Sequence, residues 1–491
     1  MREEDTPPGT APCAPGHLPL LGHLLPLLAH PVPFLQSLAD HGPVVRIHLW
    51  RRPVHVLTDP ELVHRLLVRD AAKTEKGFVF DKARGLLGNG LFTSEGAFHL
   101  RQRRLVQPAF HRDSIHRYAA LTARLAAAAV TRWEPGQAAP IEPRMHRLAR
   151  DVVVEALFAT RLSHAQKARI DRAVPVVLTG FVQRALYPSP LLEKLPVPAN
   201  RRFDTAVRDL RTVVDEIIAQ AAAPHQGPDD TLLSLLLTTR DKETGLAMAP
   251  AQVRDEAVSL LLAGTETTGT TLAWFFHELA RHQDLQNELS EEVRAVATDG
   301  AVSPGDLPRL ERTGHALSET LRLHTPNWIL MRRAVAPLRY GGVVLPPGAE
   351  ILFSPTALHR SPRLHPDPLR FDPDRWRRPA GHAPPRLFIP FGAGHHKCVG
   401  ESFAWAEMLV VAAAVLARLR LRPATATPLR ESATAATIRP RGPLLIAMSS
   451  GPRGTGARER RREGIEPGCI SEAPILTDRQ FRFSPRTFPV H

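Results

Sequence analysis

The stretch "FGAGHHKCVG", residues 391 to 400, decides how this chain is read. It places one of only three cysteines, Cys398, among Gly392, Gly394 and Gly400 and beside His395, His396 and Lys397. Three roles are open to the sulfur. Zinc fails on count, because no second Cys-x-x-Cys or His pair lies nearby at zinc spacing. A cysteine nucleophile needs an oriented base, and His395 and His396 are candidates, so that reading stays open on these residues alone. The glycines suggest a third role. They let backbone amides turn toward the sulfur, and amide hydrogen bonds stabilise a thiolate and tune its donor strength. The helix expected from "ESFAWAEMLVVAAAVLARL" would begin just after the sulfur and add its positive end. A buried, amide-wrapped thiolate suits a large iron cofactor.

Composition sets outer limits. With 491 residues and 43% hydrophobic content the chain can build a large core. Cys13, Cys398 and Cys469 cannot form a disulfide framework and suit a reducing compartment, so a cytoplasmic location is expected. The net charge of +14 invites a nucleic-acid reading. However, the seven lysines and fifty-six arginines are spread along the chain and interleaved with acids, so no nucleic-acid partner is expected. "MREEDTPPGTAPCAPG" lacks the apolar core of a signal peptide. "HLPLLGHLLPLLAHPVPFL" is apolar but broken by Pro19, Pro26, Pro31 and Pro33, so no membrane span is expected.

Along the chain, "VVRIHLWRRPVHVLT" predicts a hairpin with its turn at Arg51-Arg52-Pro53. "DPELVHRLLVRD" predicts a helix with Asp59 as N-cap and Pro60 at its first position. Helices dominate from about Gly96 to His282. "GGVVLPPGAEILFS" and "ATIRPRGPLLIAM" predict two further strand pairs. The order is helical with small sheets, not alternating βαβ units. Residues 451–491 are rich in charge and poor in apolar residues, which predicts a disordered extension after a single domain of residues 1–450.

The run from Ala251 to His282 has no proline and would span roughly 48 Å at about 1.5 Å per residue. Its middle, Ala263-Gly264-Thr265-Glu266-Thr267-Thr268-Gly269, has poor helix propensity. Threonine hydroxyls can bond carbonyls a turn back and loosen the ladder, which predicts a local opening beside an acid and an alcohol. Equally, Gly264 and Gly269 could simply admit a packed neighbour. Glu319 and Arg322 lie three apart on one helix turn and can pair.

These pieces stand in the order found in one family. F-G-x-G-x-x-x-C-x-G at 391–400 resembles the heme-binding loop of the cytochrome P-450 family. Ala263 to Thr268 resembles its A-G-x-[DE]-T-T segment, and Glu319-Thr320-Leu321-Arg322 its E-x-x-R. Phe371-Asp372-Pro373-Asp374-Arg375-Trp376 resembles its F-x-P-x-R-W coil, and "EGAFHLRQRRLVQPAF" its early propionate-contacting helix. The resemblance covers about residues 15 to 447. It implies a mainly α fold with small β-sheets, a triangular helical prism whose long central helix lies over the heme.

For the site, the resemblance implies heme b (iron protoporphyrin IX) with Cys398 thiolate as axial metal ligand, pushing electron density to favour O–O cleavage. Phe391, Gly392, His396 and Gly400 would frame it, and Ala263 and Gly264 would approach it. His99, Arg103 and Arg332 would meet the propionates. Glu319, Arg322 and Arg375 would form a structural triad. Glu266 and Thr267 would pass protons toward dioxygen, with Glu266 reached by a solvent channel. Two features depart from the family. His396 stands where Arg is usual, and a neighbouring propionate would raise its pKa against the effect of burial. The tail has no family counterpart.

The implied activity is monooxygenation of an apolar small molecule. Segments matching the family's contact regions offer Leu87, Phe92, Val258, Leu262, Trp328, Ile329 and Ala435, almost without charge, which favours a bulky apolar substrate. "RLHTPNWILMRRA" resembles bacterial terpene hydroxylases. Isomerase, dehydratase or peroxygenase chemistry, and a heme-based sensor, are the alternatives. An intact Glu266-Thr267 pair argues against the first three. Three cysteines cannot build a four-cysteine cluster and no flavin signature occurs. Electrons would therefore come from a ferredoxin or flavodoxin-like donor with its NAD(P)H reductase. A monomer is expected.

Overall fold

The computed structural model describes residues 9–134, 136, 138–158, 162–185, 187, 189–222, 231–297, 302–377, 387–424, 431–432 and 437–450. Helices dominate these residues, and the strands gather in small sheets. Strands Val44–Leu49 and Arg52–Leu57 form the expected hairpin, with Val44 opposite Leu57. Its turn falls one to two residues early, at Trp50 and Arg51, and Trp50 takes a φ of 56°. Pro53 sits inside the second strand opposite His48. It is tolerated there because the ladder to the next strand begins only at Val54, so no amide is missed. Helix Pro60–Val68 starts as expected, with the Asp59 carboxylate accepting from the amides of Glu61 and Leu62.

Two expected strand pairs are corrected. Val343–Leu345 does not pair with Glu350–Phe353. It pairs with Leu338–Tyr340 across Gly341 and Gly342, both at positive φ. Glu350–Phe353 instead runs parallel to Arg52–Leu57 and antiparallel to Leu330–Ala334 inside the five-stranded sheet. Likewise Arg439–Pro440 pairs with Glu431–Ser432, while Leu445–Ser450 lies between Ala138–Pro140 and Leu419–Pro423. Local pattern marks strands, but partners from distant parts of the chain decide which strands pair.

The central helix, Pro250–Arg281, is 32 residues long and buried along most of its length. It packs along helix Ile141–Phe158 in the main apolar core, with Leu261, Leu272 and Phe275 joining Leu148, Val152, Leu409 and Val411. The expected local opening is absent: the helix is continuous through residues 263–269. Thr265, Thr267 and Thr271 do bond back to the carbonyls of Leu261, Ala263 and Thr267, but burial holds the ladder together. The two glycines serve packing. A Cβ at Gly264 would lie 2.7 Å from Val153 Cγ2, and one at Gly269 would lie 2.3 Å from His146 Cδ2. No helix among the described residues is long and apolar enough to cross a membrane. The expected tail at 451–491 and Ala435 lie outside the described residues.

Candidate functional site

The loop that carries Cys398 is built on glycines. Gly392 and Gly394 take φ of 72° and 66°, and a Cβ at Gly394 would meet Leu67 O at 2.0 Å. Only glycine fits there. The Cys398 amide donates to Phe391 O at 2.8 Å and closes the loop. Helix Glu401–Leu416 follows at once. Burial pushes the Cys398 thiol up to about 11, while the Gly400 amide, Arg103 and Lys397 pull it down. A thiol in this setting ionises when a cation binds it. Cys398 is exposed although protein surrounds it densely, so it lines an interior concavity. Ala263 is likewise exposed midway along an otherwise buried helix. Among the described residues no group of three or more His, Cys, Asp or Glu could hold a metal ion.

Beside the loop lies a knot of cations. Arg103 Nη1 donates to Lys397 O at 2.5 Å. Arg332 is 5% exposed and donates to its neighbour's carbonyl, Met331 O, and burial lowers its pKa to about 10. Lys76 donates to the carbonyls of Leu91 and Ser94, and burial pushes it down to about 7. The carboxylates that face this knot are Glu95, 3.4 Å from His396 Nε2, and Glu256, which burial pushes up to about 7. Burying cations with so little counter-charge is costly, and a doubly anionic ligand would offset that cost.

Both histidines of the site have partners within the protein. His99 has both ring nitrogens engaged by protein, with Ser94 Oγ and His395 O each at 3.3 Å. Burial lowers its pKa to about 4, so it braces the cysteine loop as a neutral ring. At His396 the expected rise rests on a propionate, and the protein's own groups act the other way. Burial lowers its pKa, with Arg332 and Lys76 adding to the effect, and Glu95 opposes them. The rings of His99 and His396 lie 4.6 Å apart.

Glu319, Arg322 and Arg375 come together as one cluster. Arg322 grips Glu319 with two bonds of 2.8 Å, and both side chains are fully buried. Arg375 Nε, Trp376 Nε1 and the Asp372 amide also donate to Glu319. Arg322 donates further to the carbonyls of His359, Pro368 and Arg370. His359 Nε2 accepts from the Ile389 amide two residues before the cysteine loop, which connects the cluster to that loop.

On the central helix, Thr267 gives its hydroxyl proton to Ala263 O at 2.8 Å, so its oxygen remains an acceptor. Glu266 is 3% exposed. Its Oε1 accepts from Thr437 Oγ1 at 2.9 Å and from Arg439 Nη2 at 3.0 Å. Of these two partners, Thr437 is buried and the Arg439 side chain is partly exposed.

The expected substrate contacts fall in more than one apolar cluster. Leu87, Val258 and Leu262 belong to the main core. Trp328 and Ile329 pack in the cluster of Val32, Leu35 and Val45. Phe92, 40% exposed, packs against Phe80 with ring centres 5.1 Å apart and planes tilted by 50°. A separate cleft of about 660 Å³ is lined by Lys82, Arg184, Asp204 and Arg254 among others and holds none of these residues. Sequence reasoning missed Lys76, Glu95, Thr437 and Arg439. Lys76, one of seven lysines, was the most visible of them, because an isolated lysine beside a short strand is unusual in this arginine-rich chain.

An enclosed, amide-braced lone thiol beside buried cations defines a heme-thiolate class of site. The family model for cytochrome P-450 matches residues 12–447. Cyclooctat-9-en-7-ol 5-monooxygenase from Streptomyces melanosporofaciens is 40% identical over 86% of this chain and 92% of its own length. Cyclooctatin synthase from the same organism is 40% identical over 81% of this chain and 87% of its own length. Pentalenene oxygenase from Streptomyces avermitilis is 34% identical over 83% and 90%. The chain belongs to the cytochrome P-450 family. The residues present fit the heme-thiolate cofactor of that family, on the donor chemistry of Cys398 and the under-compensated cations Lys76, Arg103 and Arg332.

Proposed function

We propose that this chain is a monooxygenase that inserts one oxygen atom from O2 into a neutral polycyclic terpenoid, with heme b as cofactor. The observation that carries this reading is the enclosed Cys398 beneath Lys76, Arg103 and Arg332. The names of the relatives, all oxygenases or synthases of terpene-type compounds, support the substrate class. Bound heme supplies the oxidising chemistry; the protein supplies position, charge and protons.

Cys398 would hold the iron through its thiolate. Arg103, Arg332 and Lys76 would neutralise the propionates, and the Glu319 cluster would keep the loop from shifting. Thr267 presents a hydroxyl oxygen at the exposed turn of the central helix, where it can accept and pass a proton. Glu266, held by Thr437 and Arg439, is the proton store one residue away. The apolar side chains expected at the substrate, Phe92, Val258 and Leu262 among them, favour a bulky apolar substrate over a carboxylate. A ferredoxin or flavodoxin-like donor would deliver electrons to a monomeric domain of residues 1–450, and residues 451–491 would take no part in the chemistry.

The test is optical. Purified holoprotein should show the red-shifted ferrous carbon monoxide band. It should pass from low to high spin on titration with neutral cyclic terpene alcohols or hydrocarbons. A spin shift with fatty acids and none with any cyclic terpenoid would overturn the substrate class.

A further inference from the structure

Glu266 is joined to the outside of the molecule by a row of hydroxyls ending on a histidine. Thr437 Oγ1 lies 2.9 Å from Glu266 Oε1. Thr270 Oγ1 lies 3.1 Å from Thr437 Oγ1, and His146 Nε2 lies 3.1 Å from Thr270 Oγ1. Thr270 and Thr437 are each 1% exposed, and His146 is the least buried member of the row although protein surrounds its ring densely, so the row's approach to solvent lies at this residue. The approach depends on Gly269, where a Cβ would stand 2.3 Å from His146 Cδ2 and 2.8 Å from its Cα. That glycine lets the helix Ile141–Phe158 bring His146 to the central helix.

Proton counting fixes the direction of the row. Each hydroxyl has one proton to give, and an ionised carboxylate can only accept. Thr437 gives its proton to Glu266, so Thr270 must give its own to Thr437. Thr270 then offers only lone pairs to His146, and Nε2 must carry the ring proton. Burial lowers the His146 pKa to about 3, with Arg439 and Arg150 adding to the effect, so the ring is neutral and Nδ1 is bare. A second route through Arg439 fails. Arg439 touches Glu266 at 3.0 Å and Glu142 at 3.6 Å, but a guanidinium does not release its protons. It stays a fixed donor to the carboxylate instead.

We infer that His146, Thr270 and Thr437 form a directional proton line that reloads Glu266 from solvent. The inference rests on the proposed role of Glu266. A proton binds His146 Nδ1 as Nε2–H passes to Thr270, the Thr270 proton passes to Thr437, and the Thr437 proton passes to Glu266 Oε1. Each donor atom breaks one bond to hydrogen and each acceptor forms one. The net result is one proton moved and Glu266 neutralised, with no electron transferred. Because the ring resists charging, concerted passage is favoured over a standing imidazolium. The hydroxyls then rotate back, and the ring resets by exchange with solvent, losing the proton on Nδ1 and gaining one on Nε2.

The first test reads the ring. In ferrous, carbon monoxide-bound holoenzyme labelled with 15N-histidine, the His146 signals, assigned by their loss in His146→Gln, should show Nε2–H and a bare Nδ1 near neutral pH. An Nδ1–H tautomer overturns the line. The second test reads turnover. His146→Gln and Thr437→Val should each slow product formation about tenfold or more and change the solvent deuterium isotope effect, a size within general acid–base contributions. Thr437→Ser should restore the wild-type isotope effect. If Glu266→Gln is slow while His146→Gln and Thr437→Val match wild type, the line is overturned and the role of Glu266 stands. If Glu266→Gln matches wild type, the proton-store role falls and the line falls with it.

Discussion

Replacing Glu319 with alanine should cost more than any surface change in this protein. The carboxylate is fully buried and is shared by Arg322, Arg375, Trp376 and the Asp372 amide. Removing it leaves the Arg322 guanidinium, itself fully buried, without its only carboxylate partner among the described residues. Breaking a buried pair by deleting one partner costs about 3–5 kcal/mol, because a desolvated charge is left uncompensated. Against a total stability of about 5–15 kcal/mol, that is a large fraction. It corresponds to roughly a 10²–10³-fold loss in the folded-to-unfolded ratio, at about 1.4 kcal/mol per factor of ten. The damage should reach the cofactor, because Arg322 holds the His359 carbonyl and His359 holds the Ile389 amide. The assay is urea unfolding followed by far-ultraviolet circular dichroism, alongside heme content of the purified variant. Glu319→Gln retains one oxygen acceptor and should lose less than the alanine variant. An alanine variant within about 1 kcal/mol of wild type and with full heme content would refute the reasoning, since a shift that small is typical of an exposed pair.

Three further outcomes follow from the site and its surroundings. Cys398→Ser should lose the red-shifted ferrous carbon monoxide band, because a hydroxyl is a far poorer donor to iron; retention of the band would mean another ligand. Thr267→Ala should keep heme content but release peroxide at the expense of product, measured as product per NAD(P)H consumed; unchanged yield would count against the hydroxyl's role. His324 stacks on Trp274 at 4.0 Å and lies 2.9 Å from Glu278. Burial opposes its charge, but Glu278 and Glu431 outweigh it and raise its pKa above 6.5. Its contribution is therefore full below about pH 6.5 and lost as pH rises through the raised value. Burial opposes charge on Glu431 too, but His324 and Arg360 hold it down at about 2, so its contribution is present above pH 4.5 and lost as pH falls toward 2. Tm against pH should plateau between these limbs, and His324→Gln should remove the alkaline one; an unchanged alkaline limb would sink the assignment.

What the sequence determined by itself is the part whose physics is local. Glycines at 392 and 394 announced a backbone that a side chain would block, and their positive φ and the 2.0 Å approach to Leu67 O give the reason. The Asp59-Pro60 start, the 32-residue central helix and the three-residue spacing of Glu319 and Arg322 are likewise short-range facts. Strand partners were not legible, because Glu350–Phe353 and Leu445–Ser450 find their neighbours far away in the chain. Nor was the electrostatics of the site. His396 reads as a histidine awaiting a propionate; that Lys76 and Arg332 press on it and that Glu95 stands 3.4 Å away comes from distant packing. The surroundings of Glu266 were equally hidden. Arg439 comes from a strand pair, Thr437 lies two residues before it, and His146 comes from a helix more than a hundred residues earlier than Glu266. A side chain's type sets what it can donate or accept; only the packing of distant segments decides which partner stands within 3 Å and how much water remains between them.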